Sequence, residues 1–313
     1  MTAGVSEAAR AAGLSDETLR ALRAAGLDAR DVARAVRAAL DEDFRYGADV
    51  TSGATVAGRT VTAEVVAREA GVLSGIPVAL AVLDLLPEYQ ANAQQSQPAG
   101  TVLVADGTRI DSGDAVLRVA GPAVAVLGAE RTILNFLTHL SGVATATRAW
   151  ADAIAGTGAV VRDTRKTTPG LRALEKYAVR CGGGENHRMG LGDAALVKDN
   201  HVAAAGGVAA AVEAVHAAAP AGMVVEVECD SVAQVREALA AGARFILLDN
   251  MPAESLREAV AVARGYDGVR LEASGGLRLS NAREVAETGV DYLSVGALTH
   301  SSPVLDLGLD TVG

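Results

Sequence analysis

Residues 245–250 read FILLDN, a short apolar run that ends in an aspartate and an asparagine. Similar runs recur through the second half of the chain at intervals of about 21 to 35 residues. They are AVVRDT (159–164), AALVKD (194–199), VVEVECD (224–230), FILLDN (245–250), VRLEASGG (269–276) and YLSVGALT (292–299). Alanine-rich segments with helical character separate most of them. Continuous apolar runs that alternate with helices are typical of parallel strands covered on both faces.

Six such units without a Gly-x-Gly-x-x-Gly opening favour a barrel over a dinucleotide-binding sheet, and an open doubly wound sheet remains the alternative. Before the barrel, residues 1–43 have the pattern of alanine-rich helices, and TVTAEVVARE (60–69) alternates like a half-buried strand. Short strands with Asp-Gly and Ser-Gly turns follow in 101–121, and a long amphipathic helix is predicted over 131–156.

We therefore predict an α/β protein with two domains. An N-terminal α+β domain, with helices and a β-layer, occupies residues 1–130. An incomplete TIM-like α/β barrel occupies residues 131–301 and carries the catalytic site. The tail, about 302–313, is expected to pack back on the N-terminal domain.

Composition excludes several classes of function. The chain has 313 residues, a formal net charge of −10 and only 3% aromatic residues, which disfavours a nucleic-acid-binding face. No apolar run approaches the roughly 20 residues that span a bilayer, so no membrane partner is expected. Cys181 and Cys229 lack metal-type spacing and do not suggest a disulfide framework. We predict a cytoplasmic protein.

The predicted strand ends carry an unusual concentration of charge and glycine. In such barrels the chemistry gathers at the carboxyl ends of the strands. Those ends hold Arg165, Lys166, Lys198, Glu228, Asp249, Ser274, Gly275, Gly276 and Gly296. The chain has three lysines, and all of them fall within residues 166–198. This pattern predicts a cleft for a polyanion that includes a phosphomonoester, with carboxylates suited to Mg²⁺ or to a developing cation.

Other charged positions around the strand ends allow more specific expectations. The segment GGGENHR (182–188) should let the backbone approach a ligand closely, and it adds His187 and Arg188 to the site. In VEVEC, one of Glu226 and Glu228 is expected to point into the barrel and the other away. A surface network of i,i+4 pairs is expected on the helix after Pro169. Its members would be Arg172, Glu175, Lys176 and Arg180.

The run DTRKTTPGLRALEKYAVRCGGGENHRMGLGDAALVKDNH (163–201) resembles the signature region of the quinolinate phosphoribosyltransferases. The resemblance extends to LDEDFRYGADVTS (40–52), REAGVLSG (68–75) and ERTILNFLTHLSGVAT (130–145), and downstream to EVECD, LLDN, SGG and TGVDYLSVGALTHS. It implies transfer of the phosphoribosyl group of phosphoribosyl pyrophosphate to quinolinate with decarboxylation, which yields nicotinate mononucleotide, pyrophosphate and CO₂ for NAD synthesis.

The resemblance also implies a role for each candidate residue. Arg131, Arg165, His187 and Arg188 would hold the quinolinate carboxylates, and Thr164 would also bind substrate. Lys166 and Lys198 would face the donor phosphates and the reacting centre, and Ser274, Gly275, Gly276 and Gly296 would hold the 5-phosphate. Glu228 and Asp249 would hold the ribose hydroxyls and a Mg²⁺ cofactor, mostly through substrate and water. Lys166, Lys198, Glu228 and Asp249 would be the catalytic residues.

The resemblance further implies a homodimer in which Arg131 reaches the site of the neighbouring subunit. Four alternatives remain open from the sequence. Two are relatives with another acceptor, namely the molybdate-transport-associated homologues and the nicotinate phosphoribosyltransferases. The third is a barrel enzyme that forms a Schiff base through Lys198, and the fourth is a non-catalytic protein that binds sugar phosphates.

Overall fold

The N-terminal part of the chain begins with three helices. The computed structural model describes residues 13–90 and 97–312, so the part of the predicted helices within 1–12 lies outside the described residues. The helices are α1 (Asp16–Ala25), α2 (Ala29–Phe44) and α3 (Val50–Thr55). The Ser15 side chain accepts a hydrogen bond from Thr18 N at 3.2 Å and caps α1, which ends at the left-handed Gly26.

Short strands and one buried helix follow. They are β1 (Thr60–Ala67), β2 (Gly71–Val72), α4 (Ile76–Leu85), β3 (Ala99–Val102), β4 (Arg109–Ile110) and β5 (Ala115–Pro122). Strand β1 has the predicted alternation, with Ala63, Val65 and Ala67 buried. Helix α4 is apolar on nearly every face and packs against α1, α2 and β3.

A single long helix, α5 (Ala123–Ala153), comes next. It confirms the predicted amphipathic helix but begins eight residues before Arg131, so the predicted boundary between residues 130 and 131 falls inside it. When the chain is divided into compact units, the boundaries fall at other residues. One unit contains residues up to 146, 168–182 and 301 onward, and the other contains 147–167 and 183–300. We call these the N-terminal unit and the barrel unit.

The remainder of the chain alternates strands and helices. The strands are β6 (Val160–Arg162), β7 (Ala195–Val197), β8 (Val225–Cys229), β9 (Phe245–Asp249), β10 (Arg270–Ser274), β11 (Tyr292–Ser294) and β12 (Leu307–Val312). The helices are α6 (Arg172–Cys181), α7 (Asp199–Ala205), α8 (Val208–Ala218), α9 (Val232–Ala240), α10 (Ala253–Ala263), α11 (Ala282–Ala286) and α12 (Ala297–His300). All six predicted barrel strands are present.

The barrel unit contains a six-stranded parallel sheet in the order β6-β11-β10-β9-β8-β7. Consecutive strands are neighbours and the first lies beside the last, which is the order of a barrel and not of a doubly wound sheet. Among the described strands β6 and β7 do not pair, so the barrel is incomplete, as predicted. Glu185 N instead donates to Val161 O at 2.9 Å, which places the segment after the three glycines along the free edge of β6.

In the N-terminal unit a four-stranded sheet has the order β12-β1-β5-β3. Strand β12, the last in the chain, pairs antiparallel with β1 in a register that sets Val65 opposite Leu309. Arg68 adds an ion pair to Asp310 at the end of this ladder. The C-terminal segment therefore completes the sheet of the N-terminal unit.

Helix α6 corrects one prediction. Glu175 and Lys176 do not belong to a surface network, because the side chains from Leu174 to Val179 are all buried. Glu175 accepts hydrogen bonds from Thr168 N at 3.0 Å and from His139 Nε2 at 2.9 Å. The i,i+4 spacing of charges occurs in buried and exposed helices alike, so the spacing alone could not separate the two cases.

None of the helices in the described ranges is by itself long and apolar enough to cross a membrane. Helices α7 and α8 form a bent pair that, taken together, is long and apolar enough to do so by length and composition only.

Candidate active site

A cleft of about 790 Å³ opens in the barrel unit at the carboxyl ends of the parallel strands. It brings together twelve of the thirteen predicted site residues, which the fold collects from loops far apart in the chain. They are Thr164, Arg165, Lys166, His187, Arg188, Lys198, Glu228, Asp249, Ser274, Gly275, Gly276 and Gly296. The thirteenth, Arg131, is an exposed residue of α5 in the N-terminal unit.

The backbone of the Arg165–Lys166 pair is held on both sides. Lys166 N donates to Thr164 Oγ1 at 3.0 Å, and the Thr299 hydroxyl donates to Lys166 O at 2.8 Å. A Cβ atom at Gly296 would lie 3.0 Å from Lys166 Cδ, so glycine at this position leaves room for the lysine chain. Lys166 is therefore placed against the turn that follows β11.

Two guanidinium groups lie near each other on one wall. Burial lowers the pKa of Arg188, and the positive charge of Arg165 lowers it further. Arg188 Nη1 donates to Ala194 O at 3.1 Å, whereas Arg165 Nε is buried and has no acceptor among the described residues. An anion bound between the two groups would reduce their mutual repulsion and would accept a hydrogen bond from the unused donor. The arrangement therefore favours the binding of an anion.

The ends of β8 and β9 contribute negatively charged side chains to the cleft. Glu228 Oε2 lies 3.0 Å from Lys198 Nζ, and Asp249 Oδ2 accepts a hydrogen bond from Asn250 Nδ2 at 2.8 Å. Both carboxylates line the cleft. Carboxylate oxygens beside a phosphate-binding surface fit the usual ligand set of Mg²⁺, so Glu228 and Asp249 are the residues that could hold it.

The turn after β10 is built for close approach. Gly275 and Gly276 have φ angles of 79° and 63°, and a Cβ atom at Gly275 would overlap the Asn250 side chain. Asn250 N also donates to Ser274 O at 2.8 Å, which joins the ends of β9 and β10. The backbone N–H groups of such a glycine turn can approach a phosphate without obstruction from side chains.

Substitution of Gly275 by alanine should destabilise the protein more than the same change at Gly268. Gly268 also has a left-handed φ, of 71°, but nothing lies within 4 Å of its Cβ position. Gly268→Ala therefore reports backbone strain alone, about 1–2 kcal/mol, while Gly275→Ala adds the overlap with Asn250. Urea denaturation of both variants measures the difference. Equal losses of unfolding free energy would show that the close approach at Asn250 is unimportant.

Strand β8 corrects the expectation for its two glutamates. Glu226 bonds to His187 inside the barrel, and Glu228 lines the cleft beside Lys198. Both point to the interior because residues two apart in a strand lie on the same face. The predicted opposite orientation of the pair was wrong for that reason.

A buried network lies among these strands, and sequence reasoning missed most of it. His187 Nε2 lies 2.6 Å from Glu226 Oε2 and 3.6 Å from Glu272 Oε1, and Arg162 Nη1 donates to Glu272 Oε2 at 2.7 Å. We call Arg162, His187, Glu226 and Glu272 the buried tetrad. Burial, followed by the charge of Glu226, raises the pKa of Glu272. Glutamates inside otherwise apolar strands were the available signal.

Three members of the tetrad could in principle bind a metal ion. Ligand atoms of His187, Glu226 and Glu272 all lie within 4.8 Å of one another. The Arg162 guanidinium, 2.7 Å from Glu272, already places a positive charge inside this buried cluster, whereas the Lys198–Glu228 pair of the cleft is partly exposed and open to an ion with its waters. We therefore interpret the cluster as a hydrogen-bonded network.

The three glycines before His187 also act differently from the prediction. Gly182, Gly183 and Gly184 do not line the cleft. A Cβ atom at Gly183 would lie 3.1 Å from Arg148 Nη2, so this glycine admits a guanidinium group and not a ligand. The cleft gains residues that were not predicted, including Asn250, Ser294 and His300. Asn250 directly follows a predicted residue, and this adjacency could have identified it.

Comparisons with known proteins agree with this geometry. The sequence matches two family models, "Quinolinate phosphoribosyl transferase, N-terminal domain" over residues 49–141 and "Quinolinate phosphoribosyl transferase, C-terminal domain" over residues 143–310. The chain is 54% identical over 285 residues to nicotinate-nucleotide pyrophosphorylase (carboxylating) of Mycobacterium leprae, which covers 90% of this chain and 97% of that relative.

More distant relatives give the same result. A probable nicotinate-nucleotide pyrophosphorylase (carboxylating) of Bacillus subtilis is 39% identical, with 86% of this chain and 89% of that protein covered. The solved structure of the nicotinate-nucleotide pyrophosphorylase from Francisella tularensis superposes with a TM-score of 0.84 at 38% identity. That match covers 90% of this chain and 96% of the solved one.

Proposed function

Because the chain belongs to the quinolinate phosphoribosyl transferase family, we propose that its cleft joins quinolinate to the phosphoribosyl group of phosphoribosyl pyrophosphate. The products are nicotinate mononucleotide, pyrophosphate and CO₂, and the enzyme is a pentosyltransferase of NAD synthesis. One observation carries the proposal: the cleft of an acidic protein gathers Arg165, Lys166, Arg188 and Lys198 together with Glu228 and Asp249.

The charges of the substrates match this arrangement. Quinolinate brings two carboxylates, and the donor brings a pyrophosphate and a 5-phosphate of about −1.5 to −2 charge. Such a concentration of negative charge needs several fixed cations before it can be collected in one cleft. Arg165, His187 and Arg188 lie on one wall and bind the carboxylates, with Thr164 beside them. The planar fork of each arginine suits a carboxylate.

The donor lies along the other strand ends. Lys166 and Lys198 contact its phosphates and the reacting centre as compact charges. Ser274, Gly275, Gly276 and Gly296 hold the 5-phosphate, chiefly through backbone N–H groups. Glu228 and Asp249 contact the ribose hydroxyls. Their negative charge stabilises the positive charge that develops on the ribose as the bond to pyrophosphate breaks.

Decarboxylation follows from the bond that forms first. The quinolinate ring nitrogen attacks the anomeric carbon as pyrophosphate leaves, and the ring becomes a pyridinium. The bond between C2 and its carboxylate then breaks, CO₂ departs, and the electron pair stays on C2 beside the positive nitrogen. A proton taken up at C2 completes nicotinate mononucleotide. We place Lys198 near C2, where its positive charge stabilises the electron pair left on that carbon as CO₂ departs.

Magnesium is part of the proposal. Glu228 and Asp249 would hold the ion, largely through substrate and water. A bound Mg²⁺ supplies positive charge that screens the leaving pyrophosphate. We expect a chelator to lower turnover by at least about tenfold and excess Mg²⁺ to restore it. Assays of nucleotide formation at matched ionic strength measure this. Full turnover in excess chelator with metal-free substrates would show that the reaction does not need the ion.

We also propose a homodimer in which Arg131 completes the quinolinate site of the partner subunit. The family resemblance around residues 130–145 and the exposure of Arg131 on α5 support it. Inactive Arg131→Ala and Arg165→Ala proteins, mixed and allowed to exchange subunits, should then regain activity. Each hybrid dimer would contain one intact site, because both defects fall in the other site. No recovery in verified hybrid dimers would place Arg131 outside the partner's site.

A cytoplasmic location is proposed on composition and cysteine chemistry. Cys181 and Cys229 are free thiols, and burial raises the pKa of both, to about 12 for Cys229. Free thiols are usual in proteins of reducing compartments. Fractionation of cells that carry the native protein tests the assignment, and recovery in a membrane or secreted fraction would contradict it.

The choice of acceptor is tested directly with purified protein. The protein is incubated with phosphoribosyl pyrophosphate, Mg²⁺ and either quinolinate or nicotinate, and the nucleotide product is separated and identified. We expect nicotinate mononucleotide from quinolinate and no product from nicotinate. Product from nicotinate alone would overturn the proposal and assign the chain another acceptor.

A further inference from the structure

The buried tetrad connects three barrel strands to the wall that binds carboxylates. Arg162 is on β6, Glu226 on β8 and Glu272 on β10, while His187 enters from the segment beside β6. The contacts run from Arg162 Nη1 to Glu272 Oε2 at 2.7 Å and from Glu226 Oε2 to His187 Nε2 at 2.6 Å. His187 is also a lining residue of the cleft. The network therefore ends at the proposed quinolinate site.

The tetrad is too buried to be a solvated surface cluster. The side chains of Glu226 and Glu272 are 5% and 2% exposed, and that of His187 is 10% exposed. Two carboxylates packed together in an apolar barrel destabilise the fold unless cations compensate them. Arg162 supplies one cation and is itself stacked over the Tyr292 ring at 4.3 Å. The second carboxylate, Glu226, has the His187 Nε2 atom 2.6 Å from its Oε2 atom.

His187 is anchored at two places besides its covalent chain. Its backbone N donates to Asp163 Oδ1 at 2.9 Å, and the other oxygen of Asp163 accepts from Asn186 Nδ2 at 2.6 Å. Its Nε2 lies within hydrogen-bonding distance of Glu226. A nitrogen this close to a carboxylate oxygen carries the hydrogen, so Nε2 is the donor. Main chain and ring are both fixed.

We propose that Glu226 and Glu272 are positioning residues for quinolinate, which act by holding the His187 ring with Nε2–H directed into the barrel. A carboxylate that binds at the opposite ring edge needs a donor there as well, so the ring that binds it carries both protons. Glu226 offsets that positive charge, and Glu272, whose Oε1 lies 3.6 Å from His187 Nε2, links the ring to Arg162. The inference rests on the proposed function and deepens it.

A thermodynamic cycle tests the inference. Titration calorimetry measures the Kd of quinolinate for the full-length wild type, Glu226→Gln, His187→Ala and the double variant. Glu226→Gln keeps the size of the side chain but loses its charge, and we expect quinolinate affinity to fall about 10- to 100-fold. In the His187→Ala background the same change should have little further effect, because Glu226 acts through the ring. The KM of phosphoribosyl pyrophosphate should stay within about twofold.

Controls make the outcome decisive. Glu254→Gln removes an exposed carboxylate from α10 of the same unit and should leave quinolinate affinity unchanged. If Glu226→Gln shows no cooperative thermal transition, Glu272→Gln replaces it in the cycle, with a smaller but equally His187-dependent loss. If the loss of quinolinate affinity adds fully to that of His187→Ala, or if binding of both substrates weakens equally, the positioning role is wrong while the proposed function stands. Wild-type protein that binds no quinolinate overturns the proposed function as well.

Discussion

Alanine at Glu228 or Asp249 is expected to lower kcat by about 10²- to 10³-fold while quinolinate affinity changes only severalfold. The reason is the timing of charge. The ribose becomes positive only as the bond to pyrophosphate breaks, so we expect these carboxylates to stabilise the transition state more than they stabilise the complex with bound substrates. The two side chains stand at the ends of β8 and β9 and line the same cleft. Neither belongs to the arginine and histidine wall.

Single-turnover kinetics and quinolinate titration separate the two effects. Glu258→Ala is the matched control, because this carboxylate lies on α10, is 60% exposed and forms an ion pair with a surface arginine at 3.4 Å. It should retain wild-type kcat and KM. Wild-type kcat in both Glu228→Ala and Asp249→Ala would remove the carboxylates from the chemistry. A loss confined to quinolinate binding would move them to the acceptor site.

Lys166→Met is expected to lower kcat/KM for phosphoribosyl pyrophosphate by about 100-fold. Lys166 follows β6 and lies beside Gly296 in the turn after β11, which we propose as part of the 5-phosphate site, so we expect its charge to act on the donor and not on the acceptor. Lys166→Arg should not restore activity. Lys166 Cδ would lie only 3.0 Å from a Cβ atom at Gly296, and the wider guanidinium must fit the same confined path.

Initial rates at varied donor concentration measure this effect. Arg257→Met, which removes an exposed cation from α10, is the control and should behave as wild type. Recovery of most of the activity in Lys166→Arg would show that any positive charge suffices at this position. An unchanged kcat/KM in Lys166→Met would place the donor phosphates elsewhere in the cleft.

The strands of the barrel could be predicted because each carries its own signal. FILLD and VEVEC are short apolar runs that end in charge, and they form β9 and β8 where expected. Their carboxyl ends then gather at one edge by the geometry of parallel strands, which is why twelve predicted site residues meet in one cleft. This much follows from local pattern and fold class.

The predictions that were wrong concerned contacts between distant segments or the direction of side chains. The burial of Glu175 and Lys176 depends on what surrounds α6 in the N-terminal unit, which spacing along one helix does not reveal. The shared orientation of Glu226 and Glu228 follows from the two-residue period of a strand, which places side chains two positions apart on the same face. The link from Glu226 to His187 spans 39 residues and required the register of the whole sheet.

We propose that this cleft couples ribosyl transfer to decarboxylation of quinolinate. The decisive measurement is release of labelled CO₂ from quinolinate labelled at the C2 carboxylate and incubated with the protein and Mg²⁺. We expect release only when phosphoribosyl pyrophosphate is present, in equal amount to the nicotinate mononucleotide formed, and no release from Arg165→Ala. Nucleotide that retains the label, or CO₂ released without the donor, would show that the two steps are not coupled in this cleft.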